Sequence, residues 1–276
     1  MKSHPLDSKS RGRFPHKGKL KGKDKTAPAS VLEPEKTDSS DSRRPSRFKN
    51  GSVAVLGLVG GLGAGKSTIA AELARRGAFV LDADVVGHAL LKQRPAREEI
   101  LRRFGRKVLD PADPSGETID RKALGAIVFK DVKARRDLEK ILHPLMRNTF
   151  EKAISRVVRK RQGRLIVLDA AILYEAGWNK LCDIVAFVSA PEAVRLARLA
   201  SQRGWNKETL HSRQGAQWPL DQKRALADLH FENEGDDPSA LGERLDELWQ
   251  KLTHRRPPRL KATADEPEDP SKSTDD

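Results

Sequence analysis

The sequence contains a single cysteine, Cys182, among its 276 residues. One cysteine excludes an internal disulfide framework and fits a reducing compartment. No stretch approaches the roughly 18 apolar residues that a membrane span needs, and the N-terminus lacks the apolar segment of a secretory signal. Aromatic residues are also few, with 8 Phe, 4 Trp and 1 Tyr, which leaves little for stacking on nucleobases. These absences predict a soluble, cytoplasmic protein that makes no use of a membrane.

Positive charge is concentrated at the N-terminus. Residues 1–50 hold 14 basic and 6 acidic side chains, a net +8 of the +14 carried by the whole chain. Their few apolar side chains cannot offset the entropy of ordering, so we predict a disordered basic arm over 1–50. The proline-containing residues 255–276 predict a disordered tail. The part that can fold is then 51–254, which is long enough to bury a sizeable core.

Short apolar runs alternate with helix-length amphipathic runs along residues 51–254. The apolar runs predict strands at 53–59, 79–82, 165–169 and 183–188, and a short fifth at 229–231. Such alternation indicates an α/β protein whose parallel sheet is covered by helices on both faces. Only helical periodicity occurs over about 84–161, and helical periodicity returns over about 191–227. We therefore predict a helical insertion between strands two and three and a second helical region before the last strand.

The most specific motif lies between the first strand and a helix predicted over 67–76. Residues 60–68 read GGLGAGKST and match G-x-x-x-x-G-K-[ST], in which glycines let backbone N–H groups converge on phosphate oxygens. The helix N-terminus adds free donors, Lys66 can reach the β- and γ-phosphates, and Ser67 can bind Mg²⁺. The motif predicts a nucleotide triphosphate site formed by Gly61, Gly63, Ala64, Gly65, Lys66, Ser67 and Thr68.

This loop is shared by GTPases, ATPases, small-molecule kinases and nucleic-acid motors. A GTPase also needs D-x-x-G and N-K-x-D. Asp84 to Gly87 fits the first pattern by letter, but it follows Lys66 by only 18 residues and opens a helical stretch. Asn179 to Asp183 misses the second pattern by one residue. The sequence therefore argues against a GTPase.

Acidic residues end two of the predicted strands. Asp82 and Asp84 follow the second strand and Asp169 closes the third. Because ligands bind at the carboxyl ends of parallel strands, we expect Asp169 to hold Mg²⁺ with Ser67, and Asp84 to accept the proton of an acceptor hydroxyl. The alternative is that Asp84 or Asp169 caps the following helix.

Four arginines cluster in the second helical region, which Gly204-Trp205-Asn206 interrupts. They are Arg195, Arg198, Arg203 and Arg213. A basic helical flap that closes over ATP would neutralise charge on the transferred group and exclude water, whereas the alternative is a solvated basic face. His143 is interpreted as a residue that caps a helix before Pro144 ends it. No grouping of His and Cys has metal-ligand spacing, so we expect no structural metal site.

With these residues in place, the chain resembles the dephospho-coenzyme A kinase family from about Val53 to Leu248. The segments that carry the resemblance are residues 60–68, Asp82-Ala83-Asp84, residues 119–124 with Val128-Phe129, Leu142-His143-Pro144, Leu168-Asp169 with Leu173-Tyr174-Glu175, Gln217-Trp218-Pro219-Leu220 with Lys223, Ala227-Asp228, and Asn233-Glu234-Gly235. The resemblance implies a three-layer P-loop kinase core with a helical substrate-binding insertion and a helical lid.

The resemblance also implies an activity and residue roles. It implies transfer of the ATP γ-phosphate to the ribose 3′-hydroxyl of dephospho-CoA, the last step in making coenzyme A, with Mg²⁺ as cofactor. Lys66, Asp84, Arg198 and Arg203 would then be catalytic. Asp82, Asp84, His143 and Glu175 would contact the substrate. The chain departs from the family pattern at Ala171, where proline is usual, at His88, where arginine is common, and in the spacing of Arg198 and Arg203.

Two other functions fit part of the sequence. One is a P-loop kinase that phosphorylates another small hydroxyl acceptor, since the fold would be the same. The other is an ATP-dependent nucleic-acid-binding protein whose basic arm contacts phosphates. Retention of nucleic acid by residues 51–254 alone would favour the second.

Overall fold

The computed structural model of the protein describes residues 48–233 and 238–254, built around a five-stranded parallel sheet. The strands are β1 Ala54–Gly60, β2 Phe79–Asp82, β3 Leu165–Asp169, β4 Ile184–Ser189 and β5 Leu229–Glu232. They lie in the order β2-β3-β1-β4-β5, and every neighbouring pair is parallel. The predicted α/β class is confirmed, and each predicted strand is found to within a residue at either end.

Helices cover the sheet and fill the connections between its strands. They are α1 Lys66–Arg75, α2 Ala83–Leu91, α3 Arg94–Phe104, α4 Arg121–Lys130, α5 Val132–Lys160, α6 Glu192–Arg203, α7 Lys207–Gln214, α8 Leu220–Leu226 and α9 Pro238–Thr253, with 3₁₀ turns at Arg106–Val108 and Trp178–Leu181. Within these described residues, no helix combines the length and the apolar character that a bilayer crossing requires.

The alternating faces of β1 explain why its sequence is apolar throughout. Leu56 and Leu58 pack with Leu73 of α1 and with α9, whereas Val55 and Val59 pack on the opposite face with Phe150 and its neighbours in α5. Because successive strand residues point to opposite faces, a strand covered on both sides must be apolar at every position. This packing makes the helix–sheet–helix sandwich.

The connection between β2 and β3 is a helical unit with a small core of its own. Ile100, Phe104, Val108, Leu124 and Ala134 are buried together there. The expectation of helical structure throughout 84–161 is wrong for the segment between the first 3₁₀ turn and α4. There Leu109 and Ile119 form an isolated antiparallel bridge, and the Asp113 carboxylate accepts hydrogen bonds from backbone N–H groups of the intervening turn.

The helix α5 runs through Pro144, so the interpretation that His143 caps a helix ended by this proline is wrong. An interior proline removes one helical hydrogen bond and costs about 3 kcal/mol or more. Met146, Phe150 and Ile154, on the following turns, are buried, and burial of side chains this size contributes about 1.5–3 kcal/mol each. The packing of α5 therefore outweighs the local signal of the proline.

The folded region begins before the boundary predicted at residue 51. Lys49 donates from its backbone N to the Asp183 Oδ1 (2.7 Å) and from its Nζ to the Cys182 carbonyl (2.6 Å). Asn50 donates from its side chain to the Leu181 carbonyl (2.9 Å), and Phe48 packs on the core. The ordered region therefore includes residues 48–50. The rest of the predicted arm, residues 1–47, and the predicted tail over 255–276 lie outside the described residues.

Candidate active site

The glycine-rich loop joins β1 to α1 and encloses the side chain of Lys66. The Lys66 Nζ donates to the carbonyls of Gly60 (3.1 Å) and Gly61 (2.9 Å). Burial lowers the pKa of Lys66, and the attraction of the Asp169 carboxylate opposes this shift. A buried ammonium group is thus held against a loop whose N–H groups lead into the N-terminus of α1.

The loop is held from outside by Asn233, which follows β5. The Asn233 side-chain amide is buried and donates to the carbonyl of Ala64 (3.0 Å). Gly65 has a φ of 90°, and a Cβ at this position would collide with that amide. Only glycine fits this backbone conformation and this close approach. Asn233 was among the segments of the family resemblance but was not predicted as a site residue.

Asp82 and Asp169 lie side by side at the carboxyl edge of the sheet, where they are register partners in β2 and β3. The Ser67 hydroxyl donates to the Asp169 Oδ2 (2.9 Å). Burial raises the pKa of Asp169, while Lys66 and the hydrogen bond from Ser67 act to lower it. A hydroxyl and a carboxylate in contact are oxygen ligands of the kind that Mg²⁺ accepts, so Ser67 and Asp169 fit the predicted metal.

The helix-capping alternative applies to neither residue for which it was considered. The residue that caps α2 is Asp82, whose Oδ1 accepts from the Val85 N–H (3.0 Å). Asp84 lies in the first turn of α2 and is exposed. Within the described residues its carboxylate has no hydrogen-bond partner, so Asp84 is open to a ligand. Because Asp84 to Gly87 lies inside α2, the D-x-x-G match is not a switch loop.

A cavity of about 180 Å³ collects most of the predicted site residues. Its wall consists of Leu62, Gly63, Gly65, Lys66, Ser67, Thr68, Asp82, Asp84, Asp169, Ala171, Arg198, Leu199, Gln202 and Arg203. Gly61 and Ala64, predicted to bind ATP, lie in the loop but not on this wall. His143 and Glu175, predicted to contact substrate, do not reach it either.

The two arginines predicted to be catalytic enter the cavity from α6. Arg198 lies with its Nη1 3.5 Å from the Gly63 carbonyl and 3.4 Å from that of Asn233. Arg203 is exposed and lies over the ring of Trp205 at 5.3 Å. Gly204 ends α6 with a φ of 65°, and the Asn206 side chain caps α7, so the turn signal read at 204–206 sets where this arginine projects.

Two further residues of the second helical region hold the loop. Arg195 is buried and points its Nη1 at the Leu62 carbonyl and at the Gln214 Oε1, at 3.5 Å each. The same Gln214 oxygen accepts from the Leu62 N–H (3.2 Å). Arg195 was predicted to belong to a basic flap over ATP or to a solvated basic face, and its burial rules out the solvated face. Gln214 carries no motif and was not predicted as a site residue.

Glu175 faces a buried lysine instead of the cavity. Lys223 is fully buried, and its Nζ contacts the Glu175 Oε1 (2.7 Å), the Ala171 carbonyl (2.7 Å) and the Gln217 Oε1 (3.0 Å). Glu175 also accepts from the Trp218 N–H (2.9 Å). The contacts of Lys223 join α8 to the loop after Asp169. One of them holds the carbonyl of Ala171, the position where the family usually has proline.

His143 lines a second cavity of about 530 Å³ beside the first. This cavity lies between α5, the loop after β3 and the segment around Trp218, and its wall includes Arg135, Arg136, Lys140, Ile172 and Glu175. The loop contributes Ala171 to one cavity and Ile172 to the other. Burial lowers the pKa of His143, which favours the neutral ring.

The arrangement is suited to phosphoryl transfer. The loop presents N–H donors and a lysine to phosphate groups, and Ser67 with Asp169 offers oxygen ligands beside them. Asp84 offers a carboxylate that has no hydrogen-bond partner among the described residues, and α6 supplies Arg198 and Arg203 to the same cavity. Such a site positions groups and neutralises charge, which is most of what phosphoryl transfer needs.

Comparison with known proteins gives a consistent result. A family model described as dephospho-CoA kinase matches residues 54–238. The dephospho-CoA kinase of Anaeromyxobacter dehalogenans is 43% identical over 208 residues, which span 75% of this chain and 95% of that protein. The dephospho-CoA kinase of Synechococcus sp. is 40% identical over 181 residues, 65% of this chain and 84% of that protein.

Solved structures share the fold. A crystal structure of a protein from Thermus thermophilus matches with a TM-score of 0.61 and 31% identity, covering 73% of this chain and 98% of that one. The dephospho-CoA kinase from Campylobacter jejuni matches with a TM-score of 0.54 and 22% identity, covering 72% and 97%.

Proposed function

The chain belongs to the dephospho-CoA kinase family, and on this premise we propose that it transfers the γ-phosphate of ATP to the ribose 3′-hydroxyl of dephospho-CoA, giving coenzyme A and ADP. One observation carries the proposal. A single cavity brings the phosphate loop, the Ser67–Asp169 pair and the exposed carboxylate of Asp84 together at the entrance to the helical insertion.

The loop and α1 would hold the triphosphate. The N–H groups of residues 61–68 bind its oxygens, and Lys66 moves from the carbonyls of Gly60 and Gly61 to the γ-phosphate. Ser67 and Asp169 would hold the Mg²⁺, which when bound neutralises charge on the β- and γ-phosphates. Asn233 and Arg195 keep the loop in shape for this, because both contact it from outside.

Asp84 would act on the acceptor. Its carboxylate takes the proton of the 3′-hydroxyl as the 3′-oxygen bonds to the γ-phosphorus and the bond from that phosphorus to the β-phosphate oxygen breaks, releasing ADP. Asp84 suits this role because it is exposed and has no competing partner among the described residues. Arg198 and Arg203 lie on the same cavity wall and would neutralise charge that builds on the transferred group.

The regions around the core take the roles that the resemblance implies. The insertion over 84–161 would bind the acceptor, with His143 contributing to the adjoining cavity. The region over 191–227 would act as a lid that excludes water. Glu175 would serve the acceptor side indirectly, by fixing the loop between the two cavities through Lys223.

The acceptor assignment is tested by incubating the protein with Mg-ATP and a panel of hydroxyl acceptors. The panel contains dephospho-CoA, nucleoside monophosphates and sugar acids, and ADP formation is followed. Turnover with dephospho-CoA, with the new phosphate on the 3′-oxygen by NMR, is expected. Faster turnover with another acceptor would overturn the proposal in favour of a different small-molecule kinase. Chelation of Mg²⁺ should stop the reaction with any acceptor.

The role of Asp84 is tested with Asp84→Asn, using Asp221→Asn as the matched control at an exposed position in the first turn of α8. We expect Asp84→Asn to lower kcat by about 10²–10⁴-fold with little change in ATP affinity, and Asp221→Asn to behave like the wild type. If ATP affinity fell with kcat, Asp84 would be a metal or structural residue and the base would lie elsewhere.

A further inference from the structure

The exposed face of α2 carries a second polar residue beyond Asp84, outside the wall of the first cavity. His88 lies four residues further along the helix, so the two side chains project from the same face about one turn, or roughly 5.4 Å, apart. Both residues are exposed. A ligand whose hydroxyl lies at Asp84 would therefore pass close to His88 if it extends along α2.

A guanidinium group meets α2 at this point. Arg121, the first residue of α4, places its Nη2 2.6 Å from the His88 Nε2. Arginine has donors only, so the His88 Nε2 accepts this hydrogen bond. No carboxylate in the described part of the chain lies within ion-pair distance of Arg121. By contrast, Arg94, Arg97 and Arg103 of the same insertion each pair with an acid.

We propose that Arg121, oriented by His88, binds the 5′-diphosphate of the acceptor nucleotide. This inference rests on the proposed function, because the 3′-hydroxyl at Asp84 sets where the rest of the acceptor lies. The 5′-phosphates of the same ribose extend from that hydroxyl by a distance of the order of one helical turn. A guanidinium with one donor held by His88 keeps its other donors for a phosphate, which arginine binds in bidentate fashion.

The basic residues of the second cavity are the competing location for the diphosphate. Two of these three residues are partly neutralised: the Arg135 Nε lies 3.8 Å from Glu139, and the Lys140 Nζ lies 3.9 Å from Asp137. The carboxylate of Glu175 also lines that cavity. Arg121 and Arg136 both lack an ion pair among the described residues, but Arg121 contacts α2, the helix that carries Asp84, which is why the structure favours it.

The test compares Arg121→Met with Arg136→Met, a matched control at an exposed arginine of the second cavity. Each is assayed with Mg-ATP and either dephospho-CoA or adenosine, which has the ribose 3′-hydroxyl but no diphosphate. Single-turnover experiments with the enzyme in excess over the acceptor make the rate with the slower acceptor measurable. For Arg121→Met we expect kcat/KM with dephospho-CoA to fall about 10- to 100-fold, which is the change in affinity expected when one charge-assisted hydrogen bond is lost. KM for ATP should stay unchanged, and the loss with adenosine should be at least about tenfold smaller.

Three outcomes would overturn the inference. Equal losses with both acceptors would mean that Arg121 only ties α4 to α2. No loss with dephospho-CoA would mean that Arg121 does not touch the acceptor. A diphosphate-dependent loss in Arg136→Met instead would place the diphosphate in the second cavity. A wild-type protein that phosphorylates neither acceptor would instead refute the proposed function, so the two failures are distinguishable.

His88 acts through Arg121 and is therefore a positioning residue. His88→Leu removes the acceptor for the guanidinium, whereas His88→Gln restores one in its side-chain oxygen. We expect His88→Leu to raise KM for dephospho-CoA several-fold with kcat little changed, and His88→Gln to recover most of that loss. Equal effects of the two variants, or a fall in kcat alone, would show that His88 does not orient Arg121.

Discussion

The buried pair of Lys223 and Glu175 gives the sharpest test of how the loop after β3 is held. Lys223 is fully buried and Glu175 is 15% exposed. Lys223→Met keeps the aliphatic stem but removes the ammonium, so the Glu175 carboxylate keeps only the Trp218 N–H as a described partner. Its Oε2 is buried without a partner already. The variant therefore leaves a buried charge largely uncompensated.

Removing one partner of a buried ion pair costs about 3–5 kcal/mol. In a domain of about 200 residues, 1 kcal/mol corresponds to about 2–4 °C in the thermal midpoint, so we expect Lys223→Met to lower Tm by about 6–20 °C. The double variant Lys223→Met/Glu175→Leu removes both charges, and we expect it to be more stable than Lys223→Met alone, because apolar replacement of a whole buried pair is often neutral.

Urea unfolding of the wild type, both single variants and the double variant completes a thermodynamic cycle. Lys207→Met is the matched control, since Lys207 is 60% exposed and lies 3.7 Å from Glu192. Such an exposed pair contributes about 0–1 kcal/mol. The reasoning is refuted if Lys223→Met costs no more than Lys207→Met, or if the effects of the two single changes simply add in the double variant.

Three further predictions address the loop, the N-terminal boundary and the cysteine. Lys66→Ala should lower kcat by at least about 10²–10³-fold in a steady-state assay, and near-normal turnover would contradict the assignment of the loop. A chain that starts at Phe48 should match the full-length protein in Tm and saturating rate. Its apparent affinity for the anionic substrates should differ only at low salt, because electrostatic attraction by the basic arm is screened over about 8 Å at physiological ionic strength. A chain that starts at Gly51 should have a lower Tm, because it lacks the hydrogen bonds of Lys49 and Asn50, and equal midpoints for the two chains would refute this. Cys182 is buried, and burial raises the pKa of its thiol from 9.0 to about 12. A thiol reagent should therefore label it only on unfolding, and rapid labelling of the native protein at pH 8 would show the burial to be wrong. Because the thiol pKa is higher in the folded state, the free energy of unfolding should decline as pH rises from about 9 towards 12.

Local patterns predicted the parts of this protein that short-range chemistry governs. The loop over 60–68 was recognisable because glycines, a lysine and a hydroxyl must occur at fixed spacing to surround phosphates. The strands were recognisable because both faces of the sheet are covered. Placing Asp82 and Asp169 at one edge also followed from the sequence, since both end strands of a parallel sheet, and their register confirms it.

Other features depended on contacts between distant segments. Pro144 is tolerated because the turns after it are buried, which no local rule about proline contains. The family resemblance implies that Glu175 contacts substrate, but its carboxylate contacts Lys223, which lies 48 positions later in the chain. Gln214 and Asn233 hold the loop through single amide groups, and an isolated amide in a sequence gives no sign of the backbone it will meet.

The sequence by itself therefore determined the sheet, the phosphate loop and the family, because strand burial, loop conformation and phosphate chemistry each restrict residues at short and regular spacing. Only the tertiary structure decided which side chains share a cavity. In the folded protein Asp84 is exposed and Asp82 caps α2. Glu175 contacts a buried lysine, and Arg121 contacts His88 from a helix that begins 33 residues later. Those outcomes depend on the packing of one segment against another, and packing is set by the whole chain.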